Sequence, residues 1–128
     1  MKSAVPGAAG FDRESAGRRA IEHVMRVVGE DLRDYGTLEE LLEQQFETAL
    51  RHDAAGIEQI GQRIVELVER MERRRAERVE LVGLLAGADG RMAAVVALAG
   101  SLRGSQLAAG WRRLRTLAGH CKALNVRN

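Results

Sequence analysis

Side chains able to do chemistry are few in this chain and poorly placed for catalysis. His23, His52 and His120 fall on separate segments, and none has a second histidine or a cysteine at the spacing a metal-ligand set requires. His120 adjoins Cys121, but neighbouring positions on a helix point in different directions, so the pair does not form a Cys–His dyad. Gly83, Gly87, Gly90, Gly100 and Gly104 lack the preceding strand and the Lys-Ser/Thr of a phosphate-binding loop. Glutamates are abundant, yet they fall on charged helix faces, whereas a catalytic carboxylate pair needs burial to separate its pKa values. No catalytic, cofactor-binding or metal-binding residue emerges, and the function is expected to lie in surfaces rather than in reactive groups.

The elements that carry these residues are helices. From Ala54 to Leu85, the apolar residues Ile57, Ile60, Ile64, Leu67, Met71, Leu81 and Leu85 recur mainly at three- and four-residue spacing. A helix of that length reaches roughly 48 Å, longer than a compact small domain is wide, so its partners must be further long helices laid alongside. A second such pattern runs through Ile21, Met25, Val28, Leu32, Tyr35, Leu42, Phe46 and Ala49. Gly36 could end that helix, with Thr37-Leu38-Glu39-Glu40 matching a capping box for a new one. The apolar phase nevertheless passes through Gly36 without a register shift, and an internal glycine costs only about 1 kcal/mol, which favours one helix.

Arg51 to Gly56 supplies a turn, with Asp53 placed to cap the long helix and make the two antiparallel. Late in that helix Arg74 and Arg78 stand where the apolar pattern asks for leucine. Either this charged end, Glu72 to Arg78, protrudes into water, or the interface rotates so that Met71, Val79 and Val82 take over. The interleaved glutamates favour a solvated, ion-paired face over a nucleic-acid patch. Gly87 to Gly90 closes the helix, and Arg91 to Ala99 makes a short one capped by Asp89. Gly100 to Gly104 reads as a linker, and Ser105 as the cap of a final helix whose apolar stripe is Trp111, Leu114, Leu117, Ala118, Cys121 and Leu124. No glycine or proline stop signal precedes Asn128, so this helix reads as unfinished.

Composition agrees. Aromatic content of 3% and a single proline favour an all-α fold over a sheet. The expected architecture is an elongated antiparallel helical hairpin or bundle of three main helices plus a short connecting helix. Residues 1 to 11, small and interrupted by Pro6, are expected to be a flexible lead-in to a single domain spanning 12 to 128. A net charge of +2 does not call for nucleic acid, but its distribution is uneven: residues 87 to 128 hold seven basic side chains and one acidic. A lone cysteine fits a reducing compartment, and no apolar run approaches the roughly 20 residues that cross a bilayer. The expected location is cytoplasmic, without membrane insertion.

At its end the sequence resembles the FlgN family of flagellar type III export chaperones, through Trp111 followed by Leu124-Asn125-x-x-Asn128. Leu38-Glu39-Glu40-Leu41-Leu42, Ala49-Leu50-x-x-Asp53 and the Arg/Glu-rich run from Glu72 to Arg78 also resemble that family's hairpin. The likeness extends over about residues 15 to 128. It implies a small, non-enzymatic cytoplasmic protein that keeps hook–filament junction proteins soluble before export and hands them on at the export apparatus to FlhA and FliJ. It also implies that cargo binds in and beyond the last helix, on Trp111, Leu114, Leu117, Ala118, Cys121 and Leu124, with Asn125 and Asn128 at its end. The residues alone leave open whether this stripe binds cargo or closes a three-helix core. Two other functions also stay open: a coiled-coil oligomerisation module, and a binder of nucleic acid or anionic surfaces through the basic C-terminal third.

Overall fold

The computed structural model describes residues 6–87 and 90–128. These form α1 (Pro6–Leu50), α2 (Ala54–Ala86), α3 (Met92–Leu98) and α4 (Ser101–Arg127), with no strand among the described residues. The all-α hairpin with a third long helix and a short connector is therefore the observed fold.

Helix α1 is the hub. It packs against α2 along one flank and α4 along another, α3 bridges α2 and α4 at one end, and α2 and α4 make little direct contact. The organising element is thus α1 rather than the second long helix, on which the sequence pattern centres. At a 1.5 Å rise, its 45 residues reach roughly 68 Å. It starts at Pro6, ahead of the Asp12 start expected from the apolar pattern, while residues 1–5 lie outside the described residues. The helix also runs unbroken through Gly36. The Thr37 hydroxyl donates to the Arg33 carbonyl at 3.2 Å, so it bonds back into its own helix instead of capping a new one.

The turn into α2 is specified locally. His52 adopts φ 56°, a left-handed conformation that histidine accepts more readily than most residues. The Asp53 carboxylate accepts the Gly56 N–H at 2.9 Å, the expected cap. A Cβ on Gly56 would lie 2.5 Å from Asp53 Oδ2 and 2.8 Å from the Thr48 methyl, so the capped turn admits only glycine there.

The connection to α4 differs from expectation. Gly100, at φ 88°, stands just before α4, which begins at Ser101, so residues 101–104 are helical and not a linker. Ser105 lies inside the helix, its hydroxyl donating to the Ser101 carbonyl at 2.8 Å. Gly104 is buried because α3 crosses over it: a Cβ there would sit 2.6 Å from the Val96 carbonyl oxygen. Arg91 precedes α3 without a side-chain capping bond, and the expected cap, Asp89, lies outside the described residues.

Two apolar clusters fill the bundle. One joins Val24, Val27 and Val28 of α1 to Leu81, Val82, Met92, Val95, Leu107 and Leu114; the other joins Leu38, Leu41 and Leu42 to Leu67, Met71, Cys121 and Leu124. Tyr35 touches both. On α1 the residues between the clusters include Asp31 and Asp34, which are buried.

Candidate protein-binding groove

Asp31 and Asp34 meet the arginines that break the apolar pattern of α2. Arg74 donates to both carboxylates, Arg78 donates to Asp31, and Arg70 donates to Asp34 at 3.0 and 3.3 Å. The side chains of Arg74 and Arg78 are only 12% and 15% exposed, and that of Asp31 is 2% exposed. This corrects the expectation of a solvated charged end. Arg74 and Arg78 occupy core positions after all, neutralised by acids from α1, while Val79, expected to take over the interface, is 61% exposed. Met71 and Val82 are buried as expected. The two buried carboxylates are aspartates, each paired with arginine, and Asp31 also borders a hollow of about 150 Å³ beside Tyr35 and Met71.

Burial pushes the Asp31 carboxyl up, against the pull of Arg78 and Arg74. Burial opposes ionisation of Asp34 too, but the guanidiniums of Arg70 and Arg74 outweigh it and hold this carboxyl below the usual range. The Asp34 contribution to stability is therefore complete above the unfolded carboxylate pKa and is lost as pH falls through the lower folded one. Denaturant titrations should find the stability gap between wild type and Asp34→Asn widest near neutral pH and closing under acid. A gap that stayed constant would mean that ionised Asp34 contributes nothing.

Because α2 and α4 stand apart, α1 is left uncovered between them, and a groove runs the length of the gap. Its floor is Tyr35, Leu38 and Leu42 of α1, with Ile64 and Val68 on the α2 wall and Ala118, Cys121, Lys122 and Asn125 on the α4 wall. It continues past Met71, Arg75 and Arg78 to Val79, Met92 and Trp111. Arg78 spans the gap there, its guanidinium 5.1 Å from the centre of the Trp111 ring. Three hollows along it hold about 250, 150 and 240 Å³, and a fourth of about 480 Å³ continues it past Phe46, Ala49 and Ile57; strung along the helices, they make a long trough of the kind that a protein segment fills.

The expected cargo stripe is divided by this geometry. Leu114, Cys121 and Leu124 are buried against α1 in the core, and Cys121 also borders the groove from below. Trp111 and Ala118 are half-buried along the groove, and Leu117 is half-buried on the opposite edge of α4 by its spacing from them. Asn125 is exposed at the groove, and Asn128 donates through its side-chain amide to the Leu42 carbonyl at 2.8 Å and to Gln45 Oε1 at 2.9 Å. The α1 floor and the Val68 wall escaped the sequence reading. Their signal was a second apolar line on α2, Val65, Val68 and Val79, beside the main one.

Burial raises the Cys121 thiol to about 11, and its sulfur lies 3.6 Å from the Tyr35 carbonyl. The thiol should react with a disulfide reagent such as DTNB far more slowly in native protein than in denaturant, by at least about 100-fold. Equal rates would place the sulfur at the surface. The histidines are dispersed: His23 lies 3.4 Å from Glu77, His120 lies 3.2 Å from Glu39, and His52 is in the turn. Among the described residues no helix is long and apolar enough to cross a membrane.

A protein-family model described as FlgN protein matches residues 20–128, spanning most of α1 and all of α2, α3 and α4. No curated protein and no solved structure matches the chain. With the match extending over most of its length and ending on the Trp111-to-Asn128 helix, the chain belongs to the FlgN family of flagellar export chaperones.

Proposed function

We propose that this protein binds hook–filament junction proteins in the cytoplasm, keeps their assembly segments soluble, and delivers them to FlhA and FliJ at the export apparatus. Membership of the FlgN family over residues 20–128 carries this reading. The groove supports it physically. Segments that become ordered only on assembly expose apolar helical faces, and an open apolar groove beside a helix is the surface that such faces pair with. Binding there covers the aggregation-prone face and leaves the rest of the cargo extended.

Isothermal titration of the full chain with purified hook–filament junction proteins tests the proposal. A stoichiometric complex is expected. Absence of heat and of co-elution with every junction protein of the same flagellar system would overturn it.

A further inference from the structure

We infer that the groove between α2 and α4 receives one amphipathic helix of the cargo, with its apolar face against α1 and α2 and an acidic flank along α4, completing a four-helix bundle. The inference rests on the export-chaperone reading and adds the place, shape and charge of the bound segment.

The place follows from packing. Three long helices whose outer two make little direct contact leave one side of the central helix uncovered, and in a four-helix bundle that side is covered by the fourth. The shape follows from the walls. From Ile64 to Val82 the α2 side offers nineteen residues, roughly 27 Å of helix, so the occupant needs about five turns. Val68 and Val79 on that side are 39% and 61% exposed, with Val65 beside them 55% exposed, an apolar edge with no partner among the described residues.

The charge follows from α4. Along the groove it places Trp111, Ala118, Lys122 and Asn125, and Arg115, one turn on from Trp111, stands at the outer rim on the side of Ala108 and Val96. Neither Arg115 nor Lys122 makes an ion pair among the described residues, and α4 contains no acidic residue that could supply one. The α2 edge is different: its charges there, Glu72 and Arg75, pair with each other at 3.9 Å. One wall is thus apolar and self-neutralised, the other basic and unsatisfied. A helix carrying Asp or Glu on one flank of its apolar stripe complements both at once.

The full chain is titrated with a hook–filament junction protein and, in parallel, with designed 18-residue amphipathic helices flanked by glutamate or by lysine. Trp111, the sole tryptophan of the chain, reports groove occupancy through its emission. Val68→Asp and the double variant Arg115→Glu/Lys122→Glu should each weaken cargo binding about tenfold or more, and the double variant should also flatten the salt dependence. Leu84→Asp, on an exposed α2 position turned away from the groove, should bind as wild type does. The glutamate-flanked peptide should bind wild type, and the lysine-flanked peptide should prefer the double variant. Circular dichroism melts verify that all variants fold.

Cargo that binds both groove variants undiminished overturns the inference while leaving the export function standing. Cargo that fails to bind even wild type overturns the function, and the groove is then judged by the two peptides alone: no preference for the glutamate flank overturns it. A dimer in light scattering that Val68→Asp dissociates would also overturn it, because a second copy would then fill the groove.

Discussion

Replacing Asp31 with alanine is expected to lower stability by about 3–5 kcal/mol, measured by urea denaturation at neutral pH. The carboxylate is 2% exposed and accepts from both Arg74 and Arg78, so its removal leaves two largely buried guanidiniums with too few counter-charges. Arg74 retains Asp34, but Arg78 retains only the face of Trp111, about 0.5–2 kcal/mol of attraction. The loss is thus mostly the cost of an orphaned charge. A complementary variant separates that cost from the worth of the pair. Asp31→Leu with Arg78→Leu removes one acid and one base together, leaves Arg74 on Asp34, and is expected to lie within about 1 kcal/mol of wild type or above it. If the double variant were as unstable as Asp31→Ala, the ion pair itself would be the source of stability.

Leu114→Ala is expected to cost about 2–5 kcal/mol, because this side chain is 3% exposed and its loss leaves a cavity between α1 and α4. Leu117→Ala, three residues on and half-buried at the far edge of α4, should cost roughly 1 kcal/mol. Urea midpoints for the two variants measure the difference. Equal losses would contradict the division of the C-terminal stripe into a core row and a surface row. The contrast matters for function, since a cargo assay on a Leu114 variant reads unfolding as well as binding.

Part of this protein was legible without coordinates. Three-four apolar spacing marks α1 and α2 because a helix that buries one face must repeat its apolar residues at that period. Asp53 announces the turn, since a carboxylate before the first helical N–H groups satisfies them locally. The family, too, is written in the residues of the last helix and the hairpin. The expected cap of α4, Ser105, lies five residues past the observed one, Gly100, because Ser105 matches a cap while the fit of Gly104 beneath Val96 depends on a helix crossing that no local rule contains.

What the tertiary structure decided is of a different kind. Arg74 and Arg78, taken in their own stretch, belong in water. They lie in the core because Asp31 and Asp34, some forty residues earlier, arrive opposite them when α1 and α2 pair, and the free energy of a buried charge depends on that partner. Which helix is central is likewise absent from any periodicity, since a helix shows that it has a partner but not how many share it. The sequence by itself determined helices, turn and family; packing determined that α1 is the hub, that half of the C-terminal stripe is core, and that a groove remains. The reason is physical: local rules act over one or two turns, whereas burial and charge neutralisation are settled between segments that only the fold brings together.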